Sequence, residues 1–114
     1  MKTYDAIVIG SGITGSCTAR ELAKYDLKIA VLEKSYDLCA GATRTNSATV
    51  HSGHDALNGS LKAYYNVRGN AMYDKLCADL DVKFNRNGTI LFCLNDADME
   101  TAKRLKENAD RNGV

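Results

Sequence analysis

The sequence contains no proline in 114 residues, against an average usage of about 5%, and no functional reading attaches to that absence. Other absences exclude more. Neither charge sign is in excess: 15 basic and 14 acidic residues leave a net charge of +1, so no field points to nucleic acid or an anionic membrane. No apolar run approaches the roughly 20 residues that cross a bilayer. The opening "MKTYDAIVIGSG" is not a signal peptide, because Asp5 interrupts an apolar segment already too short. Cys17, Cys39, Cys77 and Cys93 stand far apart with no C-x-x-C pair. That spacing argues against a disulfide framework or a zinc site and for free thiols in a reducing cytoplasm, so no metal centre is expected.

What is present begins at Tyr4–Ile9, a short β-branched apolar run of the kind found in buried parallel strands. Glycines follow at 10, 12 and 15. The stretch "SCTARELAKY" then sets Ala19, Leu22 and Ala23 against Arg20, Glu21 and Lys24, an amphipathic helix of about ten residues. Lys28–Leu32 supplies a second buried strand. Together these form a Rossmann-like βαβ unit of an α/β fold, with a right-handed crossover expected.

Residues 35–60 are rich in Gly, Ser, Thr and Asn, and a loop of that length in a compact domain points to function. From Ser60, a capping residue, Leu61, Tyr64 or Tyr65, Met72, Leu76 and Leu80 predict a long helix with a mostly buried face. Gly69 inside it suggests close packing against backbone or ligand. "VKFNRNGTILFCL" reads as a β-hairpin turning at Asn87-Gly88, and a final polar helix runs from Asn95 or Asp96 through Asn112. The chain stops at Val114, just after the Asn112-Gly113 stop signal, and the expectation is a piece of a longer protein.

The glycine pattern alone is weak, but its context is complete. Gly10 permits the sharp turn out of the strand. Gly12 leaves room for a pyrophosphate to approach the backbone, and Gly15 lets helix and strand pack closely. The helix N-terminus then offers free N–H groups and its positive dipole end to the phosphates. Glu33 ends the second strand, 18 positions after Gly15, where a carboxylate accepts hydrogen bonds from the adenosine ribose and repels a 2′-phosphate. Lys34 beside it is grouped with the cofactor-binding residues. FAD and NAD share this ADP half; the long polar loop after the second strand favours the larger flavin cofactor.

The segments "YDAIVIGSGITGSCTARELAKYDLKIAVLEK" and "TNSATVHSG", with "GSLKA" further on, resemble the D-amino-acid-oxidase-like FAD-dependent oxidoreductases. The likeness is greatest to the branch of anaerobic-type glycerol-3-phosphate dehydrogenases and L-2-hydroxyglutarate oxidases. The resemblance implies FAD as cofactor, with Gly10, Gly12, Gly15 and Glu33 on its ADP half. It also implies Thr43, Arg44, Thr45, Asn46 and Ser47 beside the pyrophosphate and ribityl chain, and His51 near the isoalloxazine ring. His54 matches no such position and reads as structural, and the Tyr64-Tyr65 pair reads as helix packing.

Residues 1–80 are then the first part of the FAD-binding domain, and 81–114 begin the substrate-domain sheet and helix. The implied substrate is a small hydroxy acid or polyol phosphate, glycerol 3-phosphate before L-2-hydroxyglutarate. A non-catalytic dinucleotide-binding module and an NAD-linked dehydrogenase are the competing readings. An oligomer or a partner electron-transfer subunit stays open.

Overall fold

The computed structural model describes residues 2–114, in the order β1 (Ala6–Ile9), α1 (Ile13–Leu22), β2 (Ile29–Leu32), α2 (Leu61–Asp79) and α3 (Asp96–Asn112). The chain divides into two compact units, Met1–Thr49 and Val50–Val114.

In the first unit β1 and β2 pair in parallel, with Ala6 opposite Ile29 and Ile9 opposite Leu32. Lys28 N donates to Asp5 Oδ2 at 2.8 Å at one end of the pair, and Gly10 N donates to the Leu32 carbonyl at 2.7 Å at the other. Helix α1 packs on both strands. The βαβ unit is therefore as expected, but its strands are not buried on both faces. Alternation along β1 leaves Ala6 and Val8 half-buried while Ile7 and Ile9 are exposed, and in β2 Val31 and Leu32 are exposed too. A two-stranded sheet carrying a single helix can cover only part of its apolar surface.

In the second unit Ser60 caps α2 as expected, its Oγ accepting from Ala63 N at 3.1 Å. The anticipated buried face is otherwise: Leu61, Tyr64, Tyr65, Met72 and Leu80 are exposed, and the buried residues of α2 are Ala63 and Cys77. A Cβ on Gly69 would meet nothing within 4 Å, so no close approach explains that glycine within the chain.

The expected hairpin is also absent, since residues 82–94 form no strand. This segment is instead held to α2 by side chains. Arg86 Nε donates to both carboxylate oxygens of Asp74 at 3.0 Å, and its terminal nitrogens donate to Asn70 Oδ1 at 2.7 Å and the Asn70 carbonyl at 2.9 Å. Phe84 lies 5.7 Å from the Tyr73 ring. Ile90, Phe92 and Leu94, the apolar residues meant for the second strand, are all exposed.

Helix α3 matches its expected bounds. Asn95 Oδ1 accepts from Asp98 N at 3.0 Å, Asp98 Oδ2 accepts from Leu94 N at 2.9 Å, and Gly113 closes the helix in the left-handed conformation at φ 78°. Its asparagines order the loop before α2. Asn108 Nδ2 donates to the carbonyls of His54 (2.8 Å) and Ala56, and Asn112 Nδ2 to those of Gly53 (2.9 Å) and Ala56 (2.8 Å). None of the described helices is long and apolar enough to cross a membrane, and all four cysteines are free thiols.

Candidate dinucleotide site

The three glycines act through different physical constraints. Gly10 has φ +98°, a conformation L side chains rarely adopt. Gly15 is fixed by closeness: a Cβ there would stand 2.0 Å from the Gly10 carbonyl oxygen and 3.3 Å from Val8 Cγ1. Gly12 is the N-cap of α1 and gives it no side-chain cap. That service comes from Thr43, thirty residues away, whose Oγ1 accepts from Ile13 N at 3.0 Å. A Cβ on Gly12 would press on this same hydroxyl at 3.1 Å.

Glu33 reaches back from the end of β2. Its Oε2 accepts from Ser11 N and Ser11 Oγ, both at 2.8 Å, and Oε1 accepts from Ser35 N at 2.9 Å. These donors, the Ser11 N–H first, hold its carboxyl down to about 2, against an ordinary value of 4.5. The carboxylate is thus ionised and accepts only, as a partner for sugar hydroxyls must be.

Around this turn lies an open cavity of about 680 Å³ lined by Gly10, Gly12, Glu33, Lys34 and Thr43, with Ile9, Leu32, Ser35 and residues 39–42 completing it. Its size falls within the ordinary range of small-molecule sites. Six of the expected cofactor residues are thereby brought together: five line the cavity, and Gly15 packs against Gly10 of that lining.

The other four do not line it. Arg44 forms an exposed ion pair with Asp37. Thr45 Oγ1 donates to the Gly41 carbonyl at 3.5 Å. Asn46 Nδ2 donates to the carbonyls of Ala42 (3.1 Å) and Thr43 (2.7 Å), and its Oδ1 accepts from Ala48 N at 2.7 Å. Ser47 Oγ donates to Thr49 Oγ1 at 3.2 Å. These side chains are spent on shaping the 41–49 turn.

His51 belongs to the second unit, exposed, with its carbonyl accepting from Asn70 Nδ2 at 3.3 Å. His54 Nδ1 lies 3.1 Å from Ser52 Oγ, in keeping with a structural role. Sequence reasoning missed Ser11 and Ser35, the donors that hold Glu33. A small polar residue between two glycines carries no signal until the strand end folds back on it.

The donor set fits the ADP half of a dinucleotide. A helix N-terminus is bare of its own side chain at Gly12, hydroxyls flank it, and a fixed carboxylate lines the same cavity. This fold and site define a dinucleotide-binding βαβ unit of the flavoprotein kind.

The chain belongs to the FAD dependent oxidoreductase (DAO) family, whose model matches residues 5–114. It is 42% identical over 111 residues to a glycerol 3-phosphate dehydrogenase of Caloramator mitchellensis, covering 97% of this chain and 23% of that protein. It is 34% identical over 113 residues to an L-2-hydroxyglutarate dehydrogenase of Escherichia coli K12, covering 97% and 27%. The FAD-bound, dithionite-reduced L-α-glycerophosphate oxidase from Mycoplasma pneumoniae superposes with a TM-score of 0.87 at 30% identity, covering all of this chain and 30% of that one. The chain therefore spans between 23% and 30% of the length of these relatives.

Proposed function

We propose that the chain forms the ADP-gripping part of a flavin-dependent dehydrogenase or oxidase that oxidises a small hydroxy substrate. Glycerol 3-phosphate is the first choice and L-2-hydroxyglutarate the second. The observation that carries the cofactor reading is the Glu33 carboxylate held by Ser11 and Ser35 at the rim of a cavity that also takes in the glycine turn and Thr43. The substrate reading is supported by identity to relatives so named, 42% for the glycerol 3-phosphate dehydrogenase against 34% for the L-2-hydroxyglutarate dehydrogenase.

When bound, FAD would accept the hydride, which carries both electrons of an alcohol oxidation, while the hydroxyl proton leaves to solvent or a base. The chain's own residues orient it. The α1 N–H groups and the Thr43 hydroxyl would hold the pyrophosphate, and Glu33 would accept a hydrogen bond from the adenosine ribose. The resemblance assigns His51 to the ring, where its imidazole would donate a hydrogen bond able to steady negative charge.

The test is the absorption spectrum of the purified whole protein, followed by anaerobic addition of each substrate. Flavin bands bleached faster by glycerol 3-phosphate support the reading. Bleaching by L-2-hydroxyglutarate alone reverses the substrate order, and a protein without flavin overturns the proposal.

A further inference from the structure

Ser11 is the one buried polar residue among the described residues, 2% exposed, and its five hydrogen bonds reach three separate pieces of the first unit. Its N–H and Oγ both donate to Glu33 Oε2 at 2.8 Å, at the end of β2. The same Oγ accepts from Cys39 N at 3.3 Å, in the loop that lines the cavity. Its carbonyl accepts from Ser16 Oγ at 3.0 Å, on α1, and from Cys39 Sγ at 3.1 Å.

We propose that Ser11 is a positioning residue for ribose recognition: its hydroxyl fixes the Glu33 carboxylate in the orientation that receives the adenosine ribose. The inference rests on the proposed role of Glu33. A free glutamate samples many rotamers, and ordering it on binding costs conformational entropy that a preset side chain avoids. A carboxylate offers roughly four acceptor positions. Ser11 takes two on Oε2 and Ser35 N takes one on Oε1, which leaves the open acceptor capacity on Oε1. Without the hydroxyl, each carboxylate oxygen would keep a single tether, the Ser11 N–H on Oε2 and the Ser35 N–H on Oε1, and the group would be held less firmly. Glycine or alanine at position 11 would retain that N–H, so the hydroxyl's contribution is separable from the turn itself.

The experiment is a double-mutant cycle on the whole protein. FAD dissociation constants are measured by titrating the apoprotein for wild type, Ser11→Ala, Glu33→Ala and the double variant, with thermal melting recorded for each. Ser11→Ala is expected to weaken FAD by about 3- to 10-fold when Glu33 is present. In the Glu33→Ala background the same change should alter affinity by less than about twofold.

Equal losses in both backgrounds would mean that Ser11 acts through the turn, and would overturn the inference while leaving the role of Glu33 intact. So would no loss in either. If Glu33→Ala alone binds FAD like wild type, the ribose assignment itself fails. Should Ser11→Ala melt early, Ser11→Gly repeats the cycle with no side chain to pack, and the same pattern of coupling decides.

Discussion

Gly15→Ala is the sharpest test of how the turn is built. The added Cβ would lie 2.0 Å from the Gly10 carbonyl oxygen and 3.1 Å from its carbon. A carbon–oxygen contact normally settles near 3.3 Å, so the first turn of α1 and the end of β1 must separate by roughly 1 Å. Neither partner is a side chain that can rotate away. Overpacking of this kind costs about 1–3 kcal/mol, and more where backbone must move. The displacement would also shift the α1 N–H groups proposed to hold the pyrophosphate.

The whole protein bearing this change should melt several degrees lower and purify with well under half its flavin. Gly12→Ala is the internal comparison, because its Cβ meets only the Thr43 hydroxyl at 3.1 Å, a group able to shift by a few tenths of an ångström. Its melting point should fall less than that of Gly15→Ala. A Gly15→Ala protein with wild-type melting and full flavin would refute the close-packing argument.

Glu33 sets a pH dependence. Its folded carboxyl is depressed to about 2 from 4.5, so its contribution to stability is complete above the unfolded value and fades as pH falls from about 4.5 toward 2. The stability gap between wild type and Glu33→Gln, measured by denaturant titration, should be level above pH 5 and close in that window; a gap unchanged at pH 3 would contradict the assignment. His51→Ala should slow flavin reduction by substrate in stopped-flow measurements more than it weakens FAD binding, and an unaltered reduction rate would remove His51 from the ring. Residues 1–114 alone should hold FAD weakly and self-associate, because Ile7, Ile9, Val31 and Leu32 are exposed on a sheet with two open edges; a stable monomer binding FAD tightly in a fluorescence titration would revive the self-contained binding module.

The parts of this chain legible in its sequence are those fixed by local chemistry. Glycine spacing and the acidic strand end announce the turn because φ at Gly10 and the contact at Gly15 are set within six residues. Ser60, Asn95 and Gly113 mark helix ends because a cap is a bond to the next few N–H or C=O groups. The hairpin misreads for the opposite reason. Asn87-Gly88 does turn, with Gly88 at φ +71°, but a turn makes a ladder only where paired strands gain more than the competing contacts. Here Arg86 is captured by Asp74 and Asn70, twelve and sixteen residues back on α2.

The same reasoning explains α2. A helical stripe of Leu, Tyr and Met states that some surface will be buried, not which one. Within this chain Gly53 lies against Val67 and Asn66, where an added Cβ would stand 3.2 Å from Val67 Cγ2 and 3.3 Å from Asn66 Cβ. The apolar stripe therefore faces outward in a chain that spans under a third of its relatives' length.

Thr43 and Ser11 are the most instructive cases at the site. Both are hydroxyls whose partners, Ile13 N and Glu33, lie thirty and twenty-two residues away, so no periodicity or propensity could single them out. Thr43 was reached only through resemblance to a family, and Ser11 was not reached at all. What the sequence could specify was that a helix N-terminus and a carboxylate would meet at this turn. How the carboxylate is held depends on β2 ending beside the residue between the first two glycines. That juxtaposition follows from the parallel register of Ile9 with Leu32, which delivers the next residue, Glu33, to the backbone N–H of Ser11.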